Sequence, residues 1–246
     1  QTEHARLIKV IGESGKKPPA VVCDMMAGVG PFAVPLAKNG HRVFANDLNP
    51  DSYSALRENG RKNKVAGRLT SSNECGREFA RRLIREGQVF RHAILNLPDS
   101  ALTFLDVFRD VDWTASGFKA PPMVHVYCFS RAADPKKASQ LCTDALDRAN
   151  EVMGSALTAN QVNIHVVRDV APNKPMLCLS FAAPDAPAPP PSLKDGESRA
   201  VSNGGDLPPA DAIHSSSSSA AAAEATTEGG AISDSAAAAA EATAEG

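Results

Sequence analysis

An acid and two glycines lie close together where the first predicted strand ends. Asp24 closes the apolar run AVVCD, and the six residues from Gly28 to Ala33 then satisfy the pattern G-x-G-x-x-A with Gly30 as its second glycine. Glycines let the backbone turn tightly and approach a ligand with no Cβ in the way. Between a strand and a helix this pattern is typical of a cofactor-binding loop, although alone it is a weak signal.

Two acidic residues and a proline indicate which cofactor this loop binds. Asp47 ends the second predicted strand, where a carboxylate accepts hydrogen bonds from both hydroxyls of an adenosine ribose. Asp24 attracts the cationic methionine end of S-adenosylmethionine, whereas it repels the pyrophosphate of NAD. Pro31 removes an N–H group that a pyrophosphate would use at the helix start. We therefore predict S-adenosylmethionine; the alternative is a tight strand–helix turn with a solvated acid.

A second polar group ends the fourth predicted strand, in the segment Asn96-Leu97-Pro98-Asp99. The carboxyl ends of parallel strands face the ligand crevice in open α/β sheets. An Asn side chain offers one acceptor and two donors, which is enough to hold a planar base by its edge. Asn and Pro are also common in ordinary strand-ending turns. We predict that Asn96 and Pro98 contact the substrate base.

Alternating strand and helix signals position these residues. The predicted strands are 20–24, 42–47, 65–70, 92–97, 123–129, 163–170 and 176–182, and the predicted helices are 31–39, 50–63, 77–86, 100–111 with Ser100 as N-cap, and 135–153. Repeated strand–helix units imply a parallel sheet covered on both faces. The last two strands are joined by a short turn, which only an antiparallel pair allows. The sequence thus predicts an α/β fold of the class I methyltransferase type: a Rossmann-like, mostly parallel sheet with a C-terminal antiparallel hairpin.

The charge and the composition change sharply after residue 183. The chain has 28 acidic and 26 basic residues, and the segment from Pro184 to Gly246 holds 10 of the acidic and two of the basic ones. Residues 1–183 therefore carry a net charge of +6. The later segment is rich in Ala, Ser, Pro and Gly and has no aromatic residue. We predict a methyltransferase domain over 1–183 and a disordered acidic tail over 184–246.

The five cysteines are scattered and never spaced as CxxC, which favours reduced thiols in an intracellular protein and no structural metal site. No apolar run is long enough to span a membrane. The chain opens on Gln1 without an initiator Met or an apolar leader. We expect a fragment of a longer, non-secreted protein whose amino-terminal targeting sequence is not visible, and a monomer that does not bind membranes.

Several of these stretches together resemble the archaeal and eukaryotic tRNA (guanine-37-N1)-methyltransferase family. The resemblance lies in Thr2-Glu3-His4, DMMAGVGPF from Asp24, FANDLNP from Phe44, Asn96-Leu97-Pro98, VHVYCF from Val124 and VAPNK from Val170. It implies a catalytic domain that uses S-adenosylmethionine to methylate N1 of guanosine 37 in tRNA. It also implies cytoplasmic, mitochondrial or nuclear location, and tRNA-recognition domains and an arginine upstream of Gln1.

The resemblance and the loop argument together give a set of candidate site residues. The catalytic candidates are Glu3, as general base, and Asn96. The cofactor candidates are His4, Asp24, Ala27, Gly28, Gly30, Asp47, Leu48, Cys75, Gly76 and Asn96. The substrate candidates are Asn96, Pro98, Asn173 and Lys174. Basic residues in the segments 77–85 and 131–137 are further candidates for contacts with tRNA phosphates.

One departure from the family pattern concerns the adenine contact. The family usually has an acid where this chain has Cys75, and Glu74 lies one position early. Either Glu74 takes over after a local shift, or backbone atoms suffice, or the affinity for the cofactor is reduced.

Guanine N1 carries a proton near neutral pH, so a base must remove it as the methyl group arrives. Glu3 is expected to do so if burial raises its pKa. Two alternatives remain: the wybutosine-pathway aminocarboxypropyl transferase, and a fold that binds cofactor or RNA without turnover. An isolated helix-start carboxylate, favoured by the helix dipole, is the non-catalytic explanation for Glu3.

Overall fold

The computed structural model describes residues 2–14, 19–132, 137–154, 157–171 and 174–186. Its strands are β1 Val21–Asp24, β2 Arg42–Asn46, β3 Leu69–Ser72, β4 His92–Leu95, β5 Met123–Phe129, β6 Asn163–Ala171 and β7 Lys174–Ala182. Its helices are α1 Glu3–Ser14, α2 Ala33–Lys38, α3 Pro50–Lys62, α4 Gly76–Arg85 and α5 Ala138–Met153, with a 3-10 helix at Ala101–Phe108. No helix among these residues is both long and apolar enough to cross a membrane.

The described strands form one sheet in the order β3-β2-β1-β4-β5-β7-β6. The first five strands pair in parallel, and β7 pairs antiparallel with both β5 and β6. This confirms the predicted mostly parallel sheet with a C-terminal antiparallel hairpin. The strand order reverses between β1 and β4, so the carboxyl ends of these two strands border the crevice in which such sheets bind ligands.

Alternating strand residues supply an apolar layer to each face of the sheet. One face packs residues such as Val22, Val43 and Ile94 against α1, α2 and α3. The other face packs the strand residues that alternate with these, such as Cys23 and Phe44, against α4, the 3-10 helix and α5. Because both faces are covered, the polar groups at the strand ends are the ones left facing the crevice.

Two predicted elements differ from the structure. The third strand was expected over 65–70, but β3 covers Leu69–Ser72, because Val65 donates its N–H to the carbonyl of Gly60 and so ends α3. The segment 100–111 was expected to be an α-helix capped by Ser100. It is a 3-10 helix, and the Ser100 side chain makes no capping hydrogen bond. Thr103 instead donates its N–H to the Ser100 carbonyl over 2.9 Å, an i to i+3 contact.

Contacts with the domain continue a few residues past the boundary predicted at Ala183. The indole N–H of the buried Trp113 donates to the carbonyl of Pro184 over 2.8 Å. The N–H of Ala186 donates to the carbonyl of Val111 over 3.1 Å. Residues 187–246, most of the predicted tail, lie outside the described residues.

Candidate active site

A cavity of about 640 Å³ lies at the carboxyl ends of β4 and β5, beneath the start of α1. We call it the Glu3 pocket; its walls include Glu3, His4, Asn96, Pro98, Tyr127 and Phe129. The N–H of Phe129 donates to the carbonyl of Pro98 over 3.2 Å, which ties the end of β5 to the loop after β4. Since aromatic rings and a proline make up much of its wall, this pocket suits a flat, partly apolar ligand such as a nucleobase.

A second cavity of about 290 Å³ lies at the ends of β1 and β2. We call it the Asp47 pocket; six predicted cofactor residues line it, namely Gly28, Asp47, Leu48, Cys75, Gly76 and Asn96. Gly28 has a φ of 56° and donates its N–H to Asp47 Oδ2 over 2.7 Å. The N–H of Asn49 donates to Asp47 Oδ1 over 2.9 Å. These two donors hold the carboxylate at the rim, where it can meet vicinal hydroxyls.

Gly76 lines the Asp47 pocket at a place where a side chain would be crowded. A Cβ at this position would lie 3.3 Å from the carbonyl oxygen of Met25 and 3.5 Å from the Phe104 ring. The second contact is ordinary, but the first is tight and is made with backbone, which yields little. A side chain at Gly76 would therefore crowd the wall in which Met25 and Phe104 lie.

Asn96 lines both pockets and is half-buried between them. The sequence predicted Asn96 as both a cofactor residue and a substrate residue, and both roles stay predictions. A residue in this position can contact a group bound in either cavity, which is what transfer of a group between two ligands requires.

Asp24 is fully buried at the end of β1, and neither of its carboxylate oxygens has a hydrogen-bond partner among the described residues. Burial, and then the negative charge of Asp47, raise the pKa of Asp24 to about 8. An unpartnered buried carboxylate is costly, so this position favours a cationic ligand nearby. Asp24 itself lies behind the wall of both pockets and lines neither of them.

A buried amide fixes the loop that carries Cys75. Asn46 donates from Nδ2 to the carbonyls of Met25 and Glu74 over 3.1 and 2.9 Å, and its Oδ1 accepts the N–H of Glu74. The Glu74 carboxylate turns away from the pocket to Arg82, with 2.6 Å between Oε1 and Nη2. Three outcomes were expected from the presence of Cys75 in place of the family's usual acid. One of them, a shift of Glu74 into the pocket, is disfavoured because it would break the ion pair between Glu74 and Arg82.

Glu3 lies in the wall of its pocket at the start of α1. Arg6 contacts the carboxylate with two nitrogens, at 2.6 and 2.7 Å, and the hydroxyl of Tyr127 donates to Oε1 over 2.8 Å. Burial alone raises the pKa of Glu3, but the hydrogen bonds from Arg6 and Tyr127 and the charges of Arg6 and His165 outweigh it. The pKa is therefore lowered, so the condition under which Glu3 was expected to act as the base, a pKa raised by burial, is not met.

Comparisons with known proteins show which family the chain belongs to. Residues 1–151 match the family model described as the TRM5/TYW2 methyltransferase domain. The chain belongs to this family. A Phytophthora infestans protein named tRNA (guanine(37)-N(1))-methyltransferase is 46% identical over 188 residues, which cover 76% of this chain and 42% of that protein. A Danio rerio protein of the same name is 40% identical, over 74% of this chain and 38% of its own length. The chain thus spans about two fifths of the curated relatives it matches.

Solved structures of the family share the fold. The crystal structure of Trm5b from Pyrococcus abyssi has a TM-score of 0.51 and 26% identity, over 73% of this chain and 47% of that one. The TYW2 structure from M. jannaschii in complex with AdoMet has a TM-score of 0.52 and 22% identity, over 74% and 76% of the two chains. At that identity the second likeness establishes the fold alone.

Not every predicted site residue lines the pocket assigned to it. His4 lines the Glu3 pocket, with its ring 4.7 Å from that of Phe32. Ala27 is buried in the loop turn, and Gly30, at a φ of 95°, lines a separate outer groove with Pro31. A Cβ at Gly30 would come within 2.8 Å of side chains from α2 and α3, so its role in this TRM5/TYW2 domain is to let helices pack.

The substrate candidates on the hairpin are only partly described. Lys174 holds its Nζ 4.1 Å above the centre of the Phe129 ring and 3.6 Å from Asp99 Oδ1, beside the Glu3 pocket. Asn173 lies outside the described residues. Three of the four arginines of α4 are already paired: Arg77 and Arg81 contact Asp106, and Arg82 contacts Glu74. Exposed ion pairs of this kind contribute little, so their exchange for tRNA phosphates stays a prediction.

Sequence reasoning missed several residues of the site, of which four matter for the chemistry. Tyr127 and Asn46 are central to it, and both lie inside stretches that resemble the family, yet neither was assigned a role. Arg168 and Val167 line the Glu3 pocket because a bulge in β6 between Val166 and Arg168 turns them toward it. Alternation along β5 would have placed Tyr127 on the α1 face, whereas a bulge has no signature in the sequence.

Proposed function

We propose that this chain carries the catalytic domain of an enzyme that transfers the methyl group of S-adenosylmethionine to N1 of guanosine 37 in tRNA. The observation that carries the proposal is Asn96, which borders both the Asp47 pocket and the Glu3 pocket. The family match supports it, as do relatives named tRNA (guanine(37)-N(1))-methyltransferase. Two adjoining cavities that share one amide side chain are the arrangement that direct group transfer needs.

The Asp47 pocket fits the proposed cofactor in its donor and acceptor groups. Asp47 presents its carboxylate beside Gly28, where the ribose hydroxyls of an adenosine would donate to it. The Asp24 carboxylate, which lies behind the wall of this pocket, would gain a nearby positive charge from a cofactor bound in the pocket. S-adenosylmethionine supplies a methyl group on a positively charged sulfur, so the protein needs to supply only alignment and a base.

In this proposal Glu3 removes the N1 proton and Asn96 holds the guanine edge. Glu3 lies in the pocket wall, and its lowered pKa keeps it in the ionised carboxylate form at neutral pH. Arg168 lines the same pocket and is a cation available to the negative charge that develops on guanine O6.

The test is incubation of the full-length protein with S-adenosylmethionine and an unmodified tRNA that has guanosine at position 37, followed by nuclease digestion and mass spectrometry. The proposal expects one added methyl group at N1 of that nucleoside. The matched control is the same tRNA with adenosine at position 37, which should stay unmodified. An unmodified guanosine 37 would refute the proposal.

The same measurement separates the alternative reaction. The matching family model also covers TYW2 proteins, and a TYW2 structure shares the fold. An aminocarboxypropyl transferase would add a heavier group from the same cofactor, so the product mass distinguishes the two reactions directly.

We propose that the protein acts as a monomer inside the cell, in the cytoplasm, the mitochondrial matrix or the nucleus. All five cysteines are free, which agrees with a reducing compartment. Light scattering tests the oligomeric state, and imaging of the tagged full-length protein tests the location.

A further inference from the structure

Within the part of the chain that the structure describes, hydrogen bonds fill three of the acceptor positions of the Glu3 carboxylate. Oε1 accepts from Arg6 Nη2 at 2.6 Å and from the Tyr127 hydroxyl at 2.8 Å. Oε2 accepts from Arg6 Nε at 2.7 Å. A carboxylate offers about four acceptor positions, two on each oxygen. Counted over the described residues, the remaining position therefore belongs to Oε2.

His165 lies beside that same oxygen. Its Nε2 is 3.4 Å from Glu3 Oε2, beyond ordinary hydrogen-bond length, and its side chain is 41% exposed. It lies on β6 opposite Cys178 and is not among the described residues that line the Glu3 pocket. Glu3 thus stands between the pocket and His165, and His165 reaches solvent.

The two residues that donate hydrogen bonds to Glu3 cannot accept a proton from it. Its hydrogen bond to Glu3 raises the pKa of Arg6 on α1, so this guanidinium stays charged. Burial raises the pKa of Tyr127 on β5, and its hydroxyl already donates to Glu3. Burial also raises the pKa of Cys178 on β7, which lies beyond Tyr127. The His165 ring, in contrast, has a nitrogen that accepts a proton when the imidazole is neutral, and its side chain is partly exposed.

We propose that His165 is a proton relay that acts through Glu3, taking from it the proton removed from the substrate. The inference rests on the proposed function. The N1–H bond breaks and its proton moves to Glu3 Oε2, while the N1 electron pair forms the new bond to the methyl carbon and the C–S pair stays on sulfur. The proton then passes to His165 Nε2, and His165 releases its Nδ1 proton to water. Because the Glu3 pKa is low, a proton held there is readily passed on.

The test is single-turnover methylation of tRNA by the full-length protein over a pH series, with wild type and His165→Ala. Removal of the relay should slow methylation ~10-fold or more near neutral pH and alter its pH profile. Added imidazole should restore the rate, since the position is partly exposed. Affinity for S-adenosylmethionine, measured by calorimetry, should stay unchanged. Val166→Ala is the matched control: it truncates an exposed side chain next along β6 and should behave like wild type.

Two results would overturn the relay while leaving the proposed function intact. One is a His165→Ala protein with the wild-type rate and pH profile. The other is a slowed variant that imidazole does not rescue, which would make His165 a structural support of Glu3. If wild type itself leaves guanosine 37 unmethylated, the proposed function fails, and the relay fails with it.

Discussion

Replacement of Asp24 by Asn tests whether a buried ionisable carboxyl group has been kept for ligand binding. Asp24 is fully buried, and neither of its oxygens has a hydrogen-bond partner among the described residues. Asn has nearly the same size and polarity but no charge. We expect Asp24→Asn to make the ligand-free protein more stable and to weaken S-adenosylmethionine binding more than tenfold.

The size of the expected change in unfolding free energy follows from the pKa of Asp24. Burial and the charge of Asp47 raise the Asp24 pKa from 3.8 to about 8, so the folded protein binds more protons than the unfolded chain between these values. The contribution of Asp24 to the free energy of unfolding is then fully present below pH 3.8 and is lost as the pH rises toward 8. At pH 7 the loss is at most about 4 kcal/mol, at ~1.4 kcal/mol per pH unit. Water penetration lowers such figures, so we expect a gain of about 1–3 kcal/mol for Asp24→Asn.

The assay is urea unfolding of both proteins without ligand from pH 5 to pH 8, together with calorimetric titration of S-adenosylmethionine. The difference in unfolding free energy should grow with pH, because only the wild type has the carboxylate. A difference that does not change with pH, or a less stable variant at pH 8, would refute the reasoning about Asp24. Unchanged cofactor affinity would show that Asp24 has no role in binding.

Four further outcomes are expected. Asp47→Ala should weaken S-adenosylmethionine binding more than tenfold in calorimetry, about 1.4 kcal/mol for lost ribose hydrogen bonds. In the full-length protein Glu3→Gln should keep binding but slow single-turnover methylation by ~10²–10⁴, and a wild-type rate would exclude Glu3 as the base. His92 and His125 are buried neutral with pKa values lowered to about 4 and about 3, so urea unfolding should show stability lost as the pH falls below 6.5, by up to ~2 kcal/mol per histidine at pH 5. Truncation after Ala186 should leave the melting temperature unchanged, and a large drop would show that the tail supports the fold.

Much of the fold was predictable because its signals are local. The strands β1, β2, β4 and β5 are short apolar runs bounded by polar or turn-forming residues, and their predicted bounds differ from the observed ones by no more than two residues. The wrong predictions fell on segments whose sequence gives only a weak signal for a strand or a helix. The segment 65–70 carries few apolar residues, so the contact that ends α3 at Val65 decided where β3 begins.

The candidate site was predictable where it follows from position in the sheet. Gly28, Asp47 and Asn96 come directly after strands, and strand ends meet at one edge, so their convergence on adjoining pockets needed no knowledge of packing. The depth of Asp24 was not predictable in this way. Whether a strand-end acid lines a pocket or lies behind its wall depends on side chains from other elements, which the local sequence does not specify.

The Glu3 carboxylate shows why pKa values lie beyond sequence reasoning. Its partners come from α1, β5 and β6, up to 162 positions away along the chain, and it is the fold that brings them together. Burial and pairing act in opposite directions, so the sign of the shift depends on distances of a few tenths of an ångström. A base held at a low pKa by three donors is a weak proton acceptor. Its usefulness in methyl transfer then depends on a neighbour that carries the proton away, which is the place that His165 occupies.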